Sequence, residues 1–327
     1  MLVITGGGGF IGSVLAWALN EAGRTDIVIA DQFGRDGKWR NIAKRDFYEI
    51  VPIEALPSWL DRHGGEVEAV FHLGANSSTT ETDADLIIAT NLNASIALWR
   101  WCARHRKPLL YASSAATYGD GKEGFDDVRG LAELKRLQPL NLYGWSKHAF
   151  DLWAMREAAK GHAPPLWAGF KFFNVFGPNE YHKAEMMSLV AKSHAKIAAG
   201  EPIQLFKSHR PGIADGEQSR DFVYVKDCAA AILWLWRQGR ESGIYNIGTG
   251  RATSFHALME ATGAACGRTA KIEYIDIPPA IRPNYQYVTE ARMERLRGLG
   301  YNAPFTPLDE AVKDFVTNYL AQPDPYL

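Results

Sequence analysis

The chain has 327 residues, 46% of them hydrophobic and 22% charged, enough for one large α/β domain or two smaller ones. A formal net charge of −1 gives no general attraction to nucleic acid or to an anionic membrane, so any anionic ligand must be held by local groups. Cys102, Cys228 and Cys266 form no CxxC or metal spacing and read as buried thiols of a reducing compartment. With no signal-peptide pattern and no apolar run of membrane length, the expectation is a cytoplasmic protein that binds no metal.

In chain order, "LVIT" (2–5) is a short apolar strand, and "SVLAWALNEAG" after it carries apolar residues at helical spacing up to Gly23, a C-cap. "DIVIAD" (26–31), "EAVFHLGA" (68–75) and "PLLYASS" (108–114) read as further buried strands, with a helical pattern over 84–106. Strands buried on both faces and alternating with helices predict a doubly wound parallel sheet of Rossmann type. Later come a strand and Gly-Pro break in "GFKFFNVFGP" (169–178), a helix over about 184–199, and a short strand near "IQLF". A polar loop over 207–218 follows, either a disordered excursion or a substrate lid, and then strands in "RDFVYVKD" (220–227) and "GIYNIGTG" (243–250).

"TGGGGFIGS" lies between the first strand and the first helix and satisfies both Gly7-x-Gly9-x-x-Gly12 and Gly6-x-x-Gly9-x-x-Gly12. Glycines there allow a tight turn and let backbone N–H groups approach a pyrophosphate. Asp31 ends the second strand, where an acid bonds an adenine ribose hydroxyl. Together they predict dinucleotide binding. Asp31 favours NAD, whereas Arg35, Lys38 and Arg40 just beyond it supply cations for the 2′-phosphate of NADP, and the residues alone leave that choice open.

Two Tyr-x-x-x-Lys pairs occur. Tyr118–Lys122 brackets Gly-Asp-Gly, a turn that cannot set the two side chains on one helical face. Tyr143–Lys147 is followed by the helical pattern "HAFDLWAMREAA" and preceded by Asn141, a cap. There an ammonium one turn from the phenol is expected to lower its pKa and make it a usable acid/base. Ser113 and Ser114 fall at the carboxyl end of a parallel strand, where such sheets bind ligands.

The glycine loop, "SSAATYG" and "YGWSK" resemble the extended short-chain dehydrogenase/reductase superfamily, the nucleotide-sugar epimerases and dehydratases. "GANSSTTETD", "PLNLYGWSKHAFD", "KFFNVFGPNEYHK", "SRDFVYVKD", "GIYNIGTGRATSF" and "NYQYVTEA" follow one another, from residue 1 to about 312, as in the branch that acts on ADP-linked heptoses. The resemblance implies a Rossmann domain over 1–173 with returns near 219–250 and 284–296. A smaller, discontinuous α/β substrate-binding domain is implied for 174–218, 251–283 and 297–327. It implies tightly bound NADP rather than NAD, and a homo-oligomer, specifically a pentamer. The implied reaction is epimerisation of ADP-D-glycero-D-manno-heptose at C6 through a transient ketone, supplying a lipopolysaccharide precursor. A nucleotide-sugar 4-epimerase or dehydratase, and a non-catalytic dinucleotide-binding scaffold, stand as alternatives; loss of Tyr143 or Lys147 would mark the scaffold, and both are present.

Residue by residue, the resemblance makes Tyr143 and Lys183 the two acid/base groups, Lys147 the holder of the nicotinamide ribose, and Ser114 a contact to the sugar. It assigns the cofactor to Gly6, Gly9, Phe10, Ile11, Gly12, Asp31, Gln32, Lys38, Leu73, Gly74, Ala75, Asn76, Ser77, Asn91 and Val175, beside Tyr143 and Lys147. It assigns substrate binding to Asn174, Lys192, Phe206, Arg220 and Tyr285, beside Ser114 and Lys183, with Arg220 as the diphosphate clamp unless it pairs with Asp221 or Asp227. His182 is left outside the catalytic set, since a lone histidine is more often structural. Glu185 departs from the pattern, and an acid there is compatible with a diphosphate only if it turns toward Lys192.

Overall fold

Short runs of β-branched and aromatic residues, buried on both faces, build the centre of the molecule. The computed structural model describes residues 1–127, 130–279, 282 and 285–327. Strands β1 (Leu2–Thr5), β2 (Ile27–Asp31), β3 (Glu49–Pro52), β4 (Ala69–His72), β5 (Leu109–Ser114) and β6 (Trp167–Phe172) join a last strand, Gly243–Ile247, in a seven-stranded sheet. Across the sheet the order is Gly243–Ile247, β6, β5, β4, β1, β2, β3, and every pairing is parallel. The chain runs outward from β1 in one direction and from β4 in the other. The crevice beyond the carboxyl ends of those two strands is therefore the switch point at which such sheets take a ligand.

Helix α1 (Phe10–Glu21) joins two cores. Its Leu15 and Leu19 pack on the sheet, while Phe10 and Val14 belong to a second apolar cluster with Phe176, Val190, Ile197, Leu258, Val312 and Phe315. Each such fully buried aliphatic side chain contributes about 1.5–3 kcal/mol. Around the second core lie three two-stranded ladders: Asn174–Phe176 with Phe222–Tyr224, Ser219–Arg220 with Thr253–Ser254, and Ile203–Phe206 with Ile272–Ile275.

Several elements differ from expectation. The strand read over 220–227 stops at Tyr224, and helix Val225–Gln238 takes over, burying Cys228, Ala231, Ile232 and Leu235 at helical spacing. The strand read over 169–178 begins at Trp167 and is interrupted at Phe173. The helix expected from about 184 is only Leu189–Ala199, because Ala184 adopts φ 47° and Ser188 then caps the Ala191 N–H. The helical run expected over 84–106 carries a π-helical stretch at Ile88–Asn93, and β3 went unread in a sequence of mixed polarity. The 207–218 loop is pinned rather than an excursion. Asp215 accepts from the Ser208 N–H at 2.7 Å, the Gln218 amide donates to the carbonyls of Phe206 and Lys207, and Arg210 lies over the Tyr287 ring. Cys102 and Cys228 are buried, whereas Cys266 is only partly so, and none is in a disulfide. Among the described residues no helix is long and apolar enough to cross a membrane.

Candidate active site

At the end of β1 the chain turns through Gly6, at φ 67°, where an added Cβ would lie 2.5 Å from the Gly74 Cα. At Gly12 a Cβ would meet the Gly6 carbonyl oxygen at 2.2 Å, so no larger residue lets α1 approach β1 this closely. Gly9 caps α1 with no side-chain bond, and the first turn carries no acid, which leaves its N–H groups open toward the cleft for an anion. Asp31, at the tip of β2, accepts from the Gly8 N–H (2.8 Å), the Gln32 N–H (2.7 Å) and the Lys38 ammonium (2.6 Å). A close-packed turn, open helix N–H groups and an acid at the next strand's end fit the pyrophosphate and ribose of a dinucleotide.

Behind this cradle runs a buried polar strut. Thr5 and His72, partners across β1 and β4, are joined Oγ1 to Nδ1 at 2.7 Å, and His72 Nε2 meets Ser95 Oγ at 2.8 Å. Burial, with the charge on Lys147, pushes the His72 pKa down to about 3, so the imidazole is neutral. Asn91 is buried: it accepts from the Asn76 N–H and donates to the Asn76 carbonyl and Ser146 Oγ. It thereby fixes the 73–77 loop, whose Leu73, Gly74, Ala75 and Ser77 line the cleft. Gln32, Asn76 and Asn91 are not among the lining residues and reach it only through these supports.

Tyr143, Lys147, Ser114 and Lys183 all line the same cleft. Asn141 caps the helix Leu142–Ala159 by accepting from the Gly144 N–H at 2.8 Å, which sets Tyr143 and Lys147 one turn apart. The phenol's pKa departs from expectation. Burial raises that of Tyr143, and the Ser114 hydroxyl beside it is what opposes the rise. The Lys147 ammonium does not offset that rise, and burial pulls the lysine itself down to about 8, against the nearby Asp151 carboxylate.

Lys183 arrives from the other side, on the turn Tyr181–Met186. That turn is fixed by Glu180, which is fully buried and accepts from the Gly177 N–H, the Ser188 N–H and the Ser188 hydroxyl. Burial lowers the Lys183 pKa, with Glu180 opposing it, and the ammonium lies 5.1 Å over the Phe10 ring. Next to it, His182 also lines the cleft, with Nδ1 3.1 Å from Asn41 Nδ2. From the sequence, this histidine stood outside the catalytic set, Ser113 marked only the end of a ligand-binding strand, and nothing singled out Ala112, Phe172 or Phe173; all of them line the cleft. For these last three and His182 the sequence signal was no more than nearness to Ser114, Val175 and Lys183.

Of the expected substrate residues, Asn174, Lys192, Phe206, Arg220 and Tyr285 are not among those lining this cleft. Val175 lines the cleft, and Asn174, exposed beside it, pairs in register with Phe222. Arg220 is wedged between the rings of Phe255 (5.4 Å) and Tyr285 (5.3 Å) and donates to the carbonyls of Ser219 and Gln286. It makes no ion pair with its acidic neighbours. Asp221 accepts from the N–H groups of Thr249, Gly250 and Ala291, and Asp227 from Thr306. Phe206 meets Tyr285 edge to face at 5.9 Å. Glu185 does turn toward Lys192, which lies 3.8 Å from its carboxylate and donates to its carbonyl at 3.0 Å.

The other Tyr–Lys pair is taken apart by the fold: Tyr118 is buried and donates to Asn246 at 2.7 Å, while exposed Lys122 pairs with Asp120.

A doubly wound parallel sheet with this cradle at its switch point marks a nicotinamide dinucleotide-binding protein, and the chain belongs to the NAD dependent epimerase/dehydratase family, whose model matches residues 2–248. At finer grain it is 44% identical over 335 residues, 100% of both chains, to the ADP-L-glycero-D-manno-heptose-6-epimerase of Fusobacterium nucleatum. It is likewise 44% identical over 330 residues, again 100% of both, to the enzyme of that name from Nitratidesulfovibrio vulgaris. Among solved structures it is similar to the Helicobacter pylori ADP-L-glycero-D-manno-heptose-6-epimerase, with a TM-score of 0.78 and 27% identity, covering 97% of this chain and 95% of that one.

Proposed function

We infer that this chain epimerises C6 of ADP-D-glycero-D-manno-heptose to the L-glycero form, a step toward a lipopolysaccharide precursor, with NADP as its cofactor. The observation that carries the reading is the meeting of Tyr143 and Lys183, from two separate elements, in one cleft lined by the glycine loop, in a chain with full-length relatives of that name. When bound, the dinucleotide supplies the hydride acceptor and donor.

The protein's own groups handle the proton. Burial moves the two pKa values in opposite chemical senses, disfavouring phenolate at Tyr143 and ammonium at Lys183. Groups whose environments divide them in this way take different acid/base roles. In one orientation of the sugar Lys183, whose ammonium burial disfavours, takes the C6 hydroxyl proton as the carbonyl forms. In the other, the Tyr143 phenol gives a proton to that carbonyl oxygen as hydride returns to the opposite face. Exchange with solvent then restores both groups. Ser114 orients the reacting oxygen beside Tyr143, and Lys147 binds the nicotinamide ribose.

Arg220, with no acidic partner among the described residues, holds the diphosphate from between its two rings. NADP is favoured over NAD because the Asp31 charge is already met by two N–H groups and Lys38, so a 2′-phosphate meets a compensated site with a cation in place. Incubating the cofactor-loaded protein with ADP-D-glycero-D-manno-heptose and resolving the C6 epimers tests the assignment. Full recovery of unconverted substrate rejects it, and turnover of UDP-galactose alone selects a 4-epimerase.

A further inference from the structure

His182 has no part in the chemistry above, yet its two ring nitrogens are in different situations. Asn41 is buried, and its Nδ2 donates to the Gly8 carbonyl of the glycine loop at 2.9 Å, which fixes that atom as the amide nitrogen. The other hydrogen of the same nitrogen is directed at His182 Nδ1, 3.1 Å away. His182 Nδ1 must therefore accept, and in the neutral ring the proton sits on Nε2. Nε2 has no hydrogen-bond partner among the described residues, is not sealed from solvent, and belongs to a side chain lining the cleft. Its charged surroundings are those of the adenosine half of the cradle, Lys38, Asp36 and Asp31, together with its neighbour Lys183. Lys38 and Asp31, already paired with each other, line the same cleft as His182, so Nε2–H is a further donor on that side of it.

We propose that His182 is a cofactor-binding residue, its Nε2–H donating to an oxygen of the dinucleotide's adenosine half, a ribose hydroxyl or a phosphate. The inference rests on the dinucleotide-binding reading of the cleft and adds a ligand to it. It also ties the turn that carries Lys183 to the glycine loop, through Asn41 before the cofactor binds and through the cofactor afterwards.

Two substitutions separate the nitrogens. His182→Asn keeps an acceptor where Nδ1 stood, for Asn41, and removes the donor into the cleft. His182→Gln keeps a donor near the position of Nε2 and gives up the Asn41 bond. The dissociation constants of NADP and NAD are measured by titration calorimetry on the full chain after co-purified nucleotide is removed. A donor to a charged or polar oxygen predicts a loss of about tenfold or more in His182→Asn and a smaller one in His182→Gln. Loss confined to NADP assigns the bond to the 2′-phosphate, and loss on both cofactors assigns it to an oxygen they share. Unchanged affinity in His182→Asn, or equal losses in both variants, overturns the proposal. Failure of the unsubstituted protein to bind either dinucleotide overturns the reading beneath it instead.

Discussion

Lys147 and Asp151 lie one turn apart on the buried side of the helix Leu142–Ala159, and the carboxylate is spent elsewhere. Asp151 accepts from the Tyr111 hydroxyl at 3.0 Å and the Ser113 hydroxyl at 2.7 Å, and it pairs with Lys171 at 3.0 Å. It acts on Lys147 only through space, and burial wins, lowering that pKa from 10.5 to about 8. Below pH 8 the lysine is charged in both the folded and unfolded chain, and the folded state bears the desolvation cost. Between about 8 and 10.5 only the unfolded chain holds the proton, so stability rises with pH through that window. Cofactor-free Lys147→Met should therefore be the more stable protein below pH 8, by up to roughly 3 kcal/mol, with the gap closing toward pH 10.5. Urea unfolding at two pH values checks this, and a pH-independent difference contradicts it.

Tyr143→Phe removes a proton donor and leaves the cradle intact. Epimerisation should fall by about 10²–10⁴ while the dinucleotide stays bound. Lys183→Met should do the same, since neither group can serve both orientations of the sugar. Near-normal turnover in either variant, measured by separating the C6 epimers, removes that residue from the mechanism.

Arg220→Lys keeps the charge and loses the planar fork and its stacking on Tyr285 and Phe255. If the diphosphate is bound equally in ground and transition states, KM should rise about tenfold or more with little change in kcat. Steady-state kinetics decides, and a fall confined to kcat places Arg220 closer to the chemistry than proposed.

Lys38→Ala leaves the Asp31 carboxylate without its cation. Affinity for NADP should drop by about tenfold or more, and that for NAD by less, because only the former brings a 2′-phosphate to the site. Equal losses in a fluorescence titration count against Lys38 as the phosphate ligand.

Lys171→Met breaks a wholly buried ion pair and strands the Asp151 carboxylate. Such a break costs about 3–5 kcal/mol, read as an earlier urea midpoint. A variant as stable as the parent shows that Asp151 takes up a proton when its partner is lost.

Most of the sheet was legible because its inner strands are buried on both faces, which writes them as apolar runs, whereas the half-exposed edge strand β3 was not. The cofactor cradle was legible because it is local: one turn, one helix start and one acid at the end of the next strand. The Tyr143–Lys147 pair was separable from Tyr118–Lys122 for the same reason, since helical spacing and an Asn cap are written within a few residues. The second core and the small ladders around it were not, because Phe10, Phe176, Leu258 and Phe315 meet only through tertiary contact. Phe222–Tyr224 also feeds directly into a helix whose first residues read equally well as strand.

Charge states were the least legible of all. The sequence placed a lysine one turn from a tyrosine and so argued for a lowered phenol pKa. Burial reverses that, and burial depends on everything packed around the pair rather than on the pair. The role of His182 is of the same kind. Its residue type was visible from the start, but the direction of its proton is decided by Asn41, far away in the chain, and by the Gly8 carbonyl that fixes the Asn41 amide. The sequence by itself determined the fold class and the dinucleotide cradle and pointed to the candidate reactive groups, because each is written among near neighbours. Only the tertiary structure decided their protonation, their partners and which of them face the cleft, because desolvation and hydrogen bonding are summed over residues that the chain brings together from a distance.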